Sequence, residues 1–324
     1  MELLYLSRKD VEAAGIGMPE VLAAVDEGFR LKGLGKTEMP AKIGIHTNQD
    51  AFIHAMPAYV RGVEAAGMKW VSGYPSNAAK GLPYITGLLV LNDAETGIPL
   101  AVMDCSWITA MRTGASAGIS AKYLADPGSR VAAILGCGVQ NRAALMALVL
   151  VLPGLNEIRC RDILPAAAGR YIEEMGSLFP GLRFKAADTV EEMIDGADVV
   201  VTAVPIVKNP QPPLKADMLK PGGLAVSLDY DSAWSGAAMR QCRFFSDDVG
   251  QLLETRRHGV YFAGIPEQIS GDLGELAAGT KPGRQDSGER CFSMNMGIAV
   301  DDMVTARLVY RQAVRKGVGA RLPL

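Results

Sequence analysis

The spacing of apolar residues changes in character along the chain. Residues 7–34 carry apolar side chains at helical spacing, and Ser7 is suited to cap the start of a helix. Residues 42–91 instead contain short apolar runs separated by turn residues, a pattern that predicts antiparallel strands. A strand over Ile98–Met103 and a helix over Ser106–Leu124 follow. The first third of the chain therefore predicts a mixture of helices and antiparallel strands.

After Asp126-Pro127-Gly128 the pattern becomes a regular alternation of strand and helix. Strands are predicted over 130–135, 157–161, 198–204, 223–228 and 243–246, and helices over 140–152 and 168–179. Near-continuous apolar runs such as Asp198–Val204 are typical of parallel strands that are covered on both faces. The alternation implies βαβ units and a doubly wound parallel sheet. A last helix is predicted over Asp301–Ala313.

These elements predict an α/β protein with one domain inserted into another. A Rossmann-like doubly wound parallel sheet is expected in residues 116–298, and residues 1–115 together with 299–324 are expected to form an α+β domain. The length of 324 residues agrees with two domains, since a domain averages roughly 150 residues.

Composition and charge exclude several classes of protein. Hydrophobic residues make up 49 % of the chain, which excludes a largely disordered protein. The formal charge is only -2, which excludes electrostatic binding of nucleic acid or an anionic membrane over a broad surface. Neither the cysteines nor the histidines have the spacing of a metal site, and no secretory signal is visible, so we expect no metal and a cytoplasmic location.

The most informative local motif is the turn Gly136-Cys137-Gly138-Val139-Gln140 between a predicted strand and a predicted helix. Gly136 allows a tight turn, Gly138 lets the backbone approach a pyrophosphate, and the helix presents its free N–H groups to the phosphates. Asn141 stands where the third glycine of GxGxxG is expected. The alternative interpretation is a purely structural βαβ unit.

Asp162 follows the next predicted strand, where a carboxylate can accept hydrogen bonds from the two ribose hydroxyls of a dinucleotide. The same carboxylate would repel a 2′-phosphate, which favours NAD over NADP. Arg159 and Arg161 flank the position, and because of these positive charges NADP stays the alternative cofactor.

Three cations lie in apolar or turn-bounded strings of the first domain: Lys42, Lys69 and Arg112. A buried cation must pair or bind an anion, so these residues are either ion-paired structural groups or a clamp for one carboxylate, with Arg112 giving a bidentate contact. In the second domain Asp229 and Asp231 follow a predicted strand, where either carboxylate serves a ligand or caps the turn.

The chain resembles the ornithine cyclodeaminase/mu-crystallin family over nearly its whole length. The resemblance is carried by five strings and by the stretch from Gly271 to Arg284. The five strings are Met56-Pro57-Ala58, Gly67-Met68-Lys69-Trp70-Val71, Ala110-Met111-Arg112-Thr113, Gly136-Cys137-Gly138-Val139-Gln140 and Gly319-Ala320-Arg321-Leu322.

This resemblance implies a Rossmann domain and a substrate domain built from both chain ends, through which the family forms dimers. It places the catalytic lysine at Lys69 and the carboxylate-binding arginine at Arg112. The catalytic aspartate falls at Asp231, with Asp229 as the alternative.

Two departures from the family argue against ornithine as substrate. His54 stands where ornithine cyclodeaminases have the glutamate that holds the distal amine, and the string Asp229-Tyr230-Asp231-Ser232-Ala233-Trp234 differs from the aspartate loop associated with ornithine cyclisation. In addition, Lys42 stands where an arginine is common, which weakens or replaces one bidentate contact to the carboxylate. We therefore expect an NAD(P)-dependent oxidoreductase that interconverts an α-amino acid and its imino or keto acid. The alternatives are ornithine cyclodeamination with recycled NAD, and a mu-crystallin-like binding protein without turnover.

Overall fold

The computed structural model describes residues 1–48 and 50–324 of the chain. Contacts within the chain divide it into two compact units. Unit 1 comprises Met1–Arg112 and Ile298–Leu324, and unit 2 comprises Thr113–Gly297. The boundaries expected from the sequence, after residues 115 and 298, lie beside the ends of these units.

The secondary structure alternates along the chain as follows. The strands are β1 (Glu2–Leu6), β2 (Thr37–Glu38), β3 (Ile43–Ile45), β4 (Phe52–Val60), β5 (Ala65–Gly73), β6 (Ile85–Asn92), β7 (Pro99–Asp104), β8 (Val131–Leu135), β9 (Glu157–Arg161), β10 (Arg183–Ala186), β11 (Val199–Thr202), β12 (Leu224–Ser227), β13 (Arg243–Ser246), β14 (Gly271–Asp272), β15 (Cys291–Met294) and β16 (Ala320–Pro323). The α-helices are α1 (Arg8–Ala13), α2 (Met18–Gly33), α3 (Ser106–Leu124), α4 (Val139–Val151), α5 (Pro165–Leu178), α6 (Val190–Ile194), α7 (Gly236–Met239), α8 (Val249–Arg257), α9 (Leu273–Ala277) and α10 (Ala299–Lys316), and a 3₁₀ helix spans Pro75–Lys80.

Unit 1 is built on a mixed sheet in the order β16-β1-β7-β6-β5-β4-β2, with β3 also paired to β4. Strands β4 to β7 are antiparallel neighbours, as the alternating pattern predicts, whereas β1 runs parallel to β7. Helix α10 packs against α2 and against β4 and β5.

The two faces of this sheet differ in burial. Lys69 and Leu89 lie opposite each other on β5 and β6, and both are fully buried. Their neighbours Trp70 and Leu88, which also lie opposite each other, are 43 % and 46 % exposed. Because side chains alternate between the faces of a strand, one face of the sheet forms the core of unit 1 and the other is open.

Unit 2 contains a parallel sheet in the order β10-β9-β8-β11-β12-β15-β13-β14. The chain runs from β8 outward to β10 and then returns to β11 on the other side of β8, which is the doubly wound arrangement. Every residue of β11 and β12 is buried, which explains their continuous apolar sequence. The predicted α/β fold with a Rossmann-like sheet is confirmed.

Several predicted elements match the structure. Helix α3 spans Ser106–Leu124 as predicted, and Ser7 caps α1. The helical pattern over residues 7–34 corresponds to two helices, α1 and α2, because Gly15 adopts a φ of +69° that ends the first. In the described part of the chain, no helix has the length and apolar character needed to cross a membrane.

Candidate functional site

The glycine-rich turn after β8 requires glycine at its first position. Gly136 has a φ of +87°, and a Cβ there would collide with the carbonyl oxygen of Ala203, which follows β11. The N–H of Gly136 donates to the carbonyl of Arg161 at 2.8 Å. The turn therefore lies between the ends of β9 and β11, at the point where the strand order reverses and where such sheets bind ligands.

The second glycine leaves space in front of the following helix. Gly138 is the N-cap of α4 with an ordinary φ of -86°, and it supplies no side-chain cap. Apart from Gly138 itself and its two chain neighbours, no heavy atom of the described residues lies within 4 Å of the position that a Cβ on Gly138 would take. The free N–H groups that begin α4, at Val139 and Gln140, suit an anion. These residues fit a dinucleotide pyrophosphate.

Asn141 replaces the third glycine of the motif and has a structural role of its own. Its side chain is fully buried, and its Nδ2 donates to the carbonyls of Leu135 and Gly136 at 2.9 and 2.6 Å. The amide thus fixes the turn that the two glycines form. The departure from GxGxxG leaves the turn intact.

Asp162 lies directly beside this turn. Its Oδ2 accepts the N–H of Cys137 at 2.8 Å and its Oδ1 accepts the N–H of Leu164 at 2.9 Å, so the carboxylate has a fixed orientation. The flanking Arg159 and Arg161 donate to backbone carbonyls of their own unit. The position fits the ribose-binding carboxylate that the sequence predicts.

The two candidate aspartates after β12 have different environments. Asp229 is fully buried and accepts hydrogen bonds from Ser227 Oγ at 2.7 Å, Thr202 Oγ1 at 2.8 Å and the N–H of Val204 at 2.9 Å. Burial raises the pKa of Asp229 to about 6, and these hydrogen bonds oppose the rise. Its bonds join the ends of β11 and β12.

Asp231 has one buried carboxylate oxygen without a hydrogen-bond partner among the described residues. Its Oδ2 accepts the N–H of Phe262 at 2.8 Å, whereas its Oδ1 has no hydrogen-bond partner among the described residues. Burial raises the pKa of Asp231 above its usual range. Tyr230 adopts a φ of +59° between the two aspartates, which sets the two carboxylates in separate environments. Both oxygens of Asp229 thus accept hydrogen bonds within the protein, whereas Asp231 has one oxygen without such a partner among the described residues.

In unit 1, Lys69 and Arg112 meet at a third residue, Asp302. Lys69 Nζ lies 2.7 Å and Arg112 Nε 3.0 Å from Asp302 Oδ1. Lys69 and Asp302 are fully buried, and Arg112 is 6 % exposed. These side chains come from β5, α3 and α10. The structure thus brings two of the three predicted cations together at one carboxylate oxygen.

The ammonium group of Lys69 is easier to deprotonate than that of an ordinary lysine. Burial, followed by the positive charge of Arg112, lowers the pKa of Lys69 to about 8, and Asp302 acts in the opposite direction. Burial is the larger cause because Lys69 projects into the core of unit 1.

His54 lies on the same face of the sheet as Lys69, since Met56 pairs with Lys69 and His54 with Val71. The imidazole stacks on Phe52, with 4.3 Å between ring centroids. Burial and then the charges of Lys42, His46 and Lys69 lower the pKa of His54 to about 3, so the imidazole is neutral at pH 7. Lys42 therefore contributes positive charge near His54.

Asp302 was missed at the sequence level. It belongs to Ala299-Val300-Asp301-Asp302-Met303-Val304, where two acidic residues interrupt an apolar run at the start of α10. Acidic residues are common in the first turn of a helix, because they interact favourably with its dipole. The available signal was that these two carboxylates stand at positions of a helix that are otherwise apolar and buried.

Comparison with protein families gives one match over nearly the whole chain. The sequence profile described as the ornithine cyclodeaminase/mu-crystallin family matches residues 1–317. An alanine dehydrogenase of Archaeoglobus fulgidus is 34 % identical over 336 residues, covering 99 % of this chain and 98 % of that protein.

Solved structures agree with this match. The complex of Thermococcus litoralis Δ¹-pyrroline-2-carboxylate reductase with NADH and L-proline is 33 % identical, with a TM-score of 0.88, and the match covers 98 % of this chain and 99 % of that one. An archaeal alanine dehydrogenase dimer with bound NAD is 32 % identical, with a TM-score of 0.88 and full coverage of both chains.

Proposed function

Because this chain belongs to the ornithine cyclodeaminase/mu-crystallin family, we propose that it is an NAD-dependent oxidoreductase that interconverts an α-amino acid and its imino or keto acid. The observation that carries the proposal is the buried pair of cations, Lys69 and Arg112, which share one oxygen of Asp302. The activities of the similar alanine dehydrogenase and pyrroline-2-carboxylate reductase support the same reaction class.

The dinucleotide binds at the turn from Gly136 to Gln140, with its pyrophosphate at the start of α4 and its adenosine ribose at Asp162. The open space at Gly138 and the fixed carboxylate of Asp162 support this assignment. NAD is preferred to NADP, since the carboxylate would repel a 2′-phosphate. When bound, the nicotinamide supplies or accepts a hydride at the substrate α-carbon.

Lys69 and Arg112 bind the substrate carboxylate, with Lys42 adding positive charge. Together with Asp302, Lys69 and Arg112 carry two positive charges and one negative charge, and one substrate carboxylate balances the difference. Because this site is buried, its hydrogen bonds and charges act more strongly than they would in water, and they hold the substrate in one orientation.

Two groups handle the proton that accompanies the hydride. Lys69, whose pKa is lowered to about 8 mainly by burial, exchanges a proton near neutral pH. Asp231 stabilises the positive charge on the substrate nitrogen and transfers a proton to or from it through Oδ1, which is buried and has no hydrogen-bond partner among the described residues.

His54 faces the substrate side chain. A neutral imidazole lacks the negative charge that holds the distal ammonium group of a diamino acid. The residue therefore favours substrates with an uncharged side chain, such as alanine or proline and their imines.

We propose that the protein is a homodimer that joins through the open face of the sheet in unit 1. This face carries apolar residues from neighbouring strands: Pro57, Met68, Trp70, Leu88 and Val90. Exposed apolar patches mark interaction surfaces, and the similar archaeal alanine dehydrogenase is described as a dimer.

The proposal assigns substrate binding and dimerisation to residues 1–115 with 299–324, and dinucleotide binding to residues 116–298. A cytoplasmic location fits the five free thiols, because a reducing compartment preserves them.

Steady-state turnover tests the proposal. We expect NADH oxidation with Δ¹-pyrroline-2-carboxylate or with pyruvate plus ammonia or methylamine, and a slower rate with NADPH. Lys69→Ala should lower kcat/KM at least 100-fold, about 2.7 kcal/mol. Lys185→Ala, which removes a surface ion pair in unit 2, is the control. Unchanged turnover in Lys69→Ala would exclude the proposed site.

A further inference from the structure

Asp302 joins two cations that are far apart in the sequence. Its Oδ1 accepts a hydrogen bond from Lys69 Nζ at 2.7 Å across 233 residues of chain, and the same atom lies 3.0 Å from Arg112 Nε. Its Oδ2 has no hydrogen-bond partner among the described residues. Charged side chains from β5 and α3 therefore both contact a single buried oxygen of a residue on α10.

The two cations retain donors that the protein does not use. In the described part of the chain, Asp302 is the acceptor for Lys69 Nζ, whereas Arg112 Nε, although 3.0 Å from the same oxygen, is buried and makes no hydrogen bond. An ammonium group has three N–H donors and a guanidinium has five. Several N–H donors of Lys69 and Arg112 thus remain available to a ligand. Asp302 Oδ1 fixes the spacing of the two cations, and its single negative charge neutralises only part of their positive charge.

We infer that Asp302 is the positioning residue of the carboxylate-binding pair: it holds Lys69 and Arg112 together and charged, so that their remaining N–H groups receive the substrate carboxylate. This inference rests on the proposed function, in which these two cations bind substrate. Without a shared anion, two buried cations would repel each other and lose their hydration without compensation.

The charge state of Lys69 gives a measurable consequence. The titratable or charged groups that face it are Arg112, Cys105, Asp302 and His54. Of these, Asp302 raises the pKa of Lys69 through both its charge and its hydrogen bond. Removing that charge should lower the pH at which Lys69 loses its proton.

Asp302→Asn, which keeps the shape and removes the charge, tests the inference in the enzyme bound to NADH. We expect KM for Δ¹-pyrroline-2-carboxylate to rise at least tenfold, with a smaller change in kcat, and the basic limb of the pH profile of kcat/KM to move to lower pH. NADH affinity, measured by fluorescence, should stay within twofold. A wild-type KM and an unmoved basic limb would overturn the inference.

Two further variants separate positioning from general stability. Thr305→Val alters a fully buried hydroxyl on the same helix, which bonds the carbonyl of Asp301, and it should leave KM and the pH profile unchanged. Asp302→Glu keeps the charge but displaces the oxygen, so it should raise KM and leave the basic limb in place. A wild-type KM in Asp302→Glu would also overturn the inference, including when Asp302→Asn fails to fold.

A measurement of stability without substrate tests the inference independently of the proposed function. The folded-state pKa of Lys69 lies below its unfolded value, so stability rises with pH once the pH exceeds the folded pKa. In Asp302→Asn this rise should begin at lower pH, and its stability deficit against wild type should shrink between pH 6 and 8. A constant deficit would overturn the positioning role, whereas absence of turnover in the wild type would reject only the proposed function.

Discussion

The two glycines of the dinucleotide turn are required for different physical reasons. Gly136 has a left-handed backbone conformation and no room for a Cβ, so the fold itself demands glycine there. Gly138 has an ordinary φ and open space around it among the described residues. The fold therefore makes no demand for glycine at this position, and the proposed dinucleotide site gives a reason for it.

We predict that Gly138→Ala preserves stability and weakens NADH binding at least tenfold, about 1.4 kcal/mol, because the added methyl occupies the space of the pyrophosphate. Thermal unfolding and NADH fluorescence measure the two effects. Gly169→Ala, at an exposed position of α5 that also has no heavy atom within 4 Å of a Cβ among the described residues, should bind NADH as the wild type does. If Gly138→Ala bound NADH with wild-type affinity, the phosphates would not bind at this turn.

Asp229 gives a prediction about stability and pH. Its pKa is raised by burial to about 6 in the folded protein, above the unfolded value of about 3.9. Between these values the folded state binds more protons than the unfolded state, so the contribution of Asp229 to stability falls as the pH rises from 4 to 6.

Asp229→Asn removes this titration. We expect the unfolding free energy of Asp229→Asn, relative to the wild type, to increase by on the order of 3 kcal/mol between pH 4 and pH 7. Urea unfolding of both proteins across that range measures the difference. A difference that does not change with pH would show that folding leaves the pKa of Asp229 unshifted.

Helices and strands with a strong local pattern were predictable from the sequence, and those that depend on distant partners were not. Strands β9 and β13 and helix α3 have the predicted bounds, since their apolar runs are flanked by clear turn residues. Strand β16 is exposed throughout and pairs with β1 at the other end of the chain, so its sequence carries no burial pattern. The break between α1 and α2 depends on the backbone of Gly15.

The site follows the same rule. Lys69 and Arg112 are recognisable because cations in apolar strings need an anion, and the glycine turn is recognisable because its spacing is local. Asp302 was not recognisable from the sequence, because its contacts form only when α10 packs against β5 and α3 brings Arg112 to the same oxygen. The difference between Asp229 and Asp231 likewise depends on partners from other strands and loops.

At the scale of the whole molecule, the open sheet face of unit 1 predicts a dimer. We expect Trp70→Lys combined with Leu88→Lys to give a monomer in light scattering at concentrations where the wild type has twice the mass, since charges on an apolar interface oppose association. Leu178→Lys, at a 61 % exposed position of unit 2, is the control. An unchanged dimer in the double variant would place the interface elsewhere.

The destination of the hydride tests the central claim most directly. Wild-type protein would be supplied with Δ¹-pyrroline-2-carboxylate and NADH deuterated at the transferring position of C4, and the product analysed by mass spectrometry and NMR. The account predicts proline with one deuterium at Cα, formed in equal amount to the NADH consumed. Proline without deuterium at Cα, or no proline formed while the protein binds NADH, would contradict it.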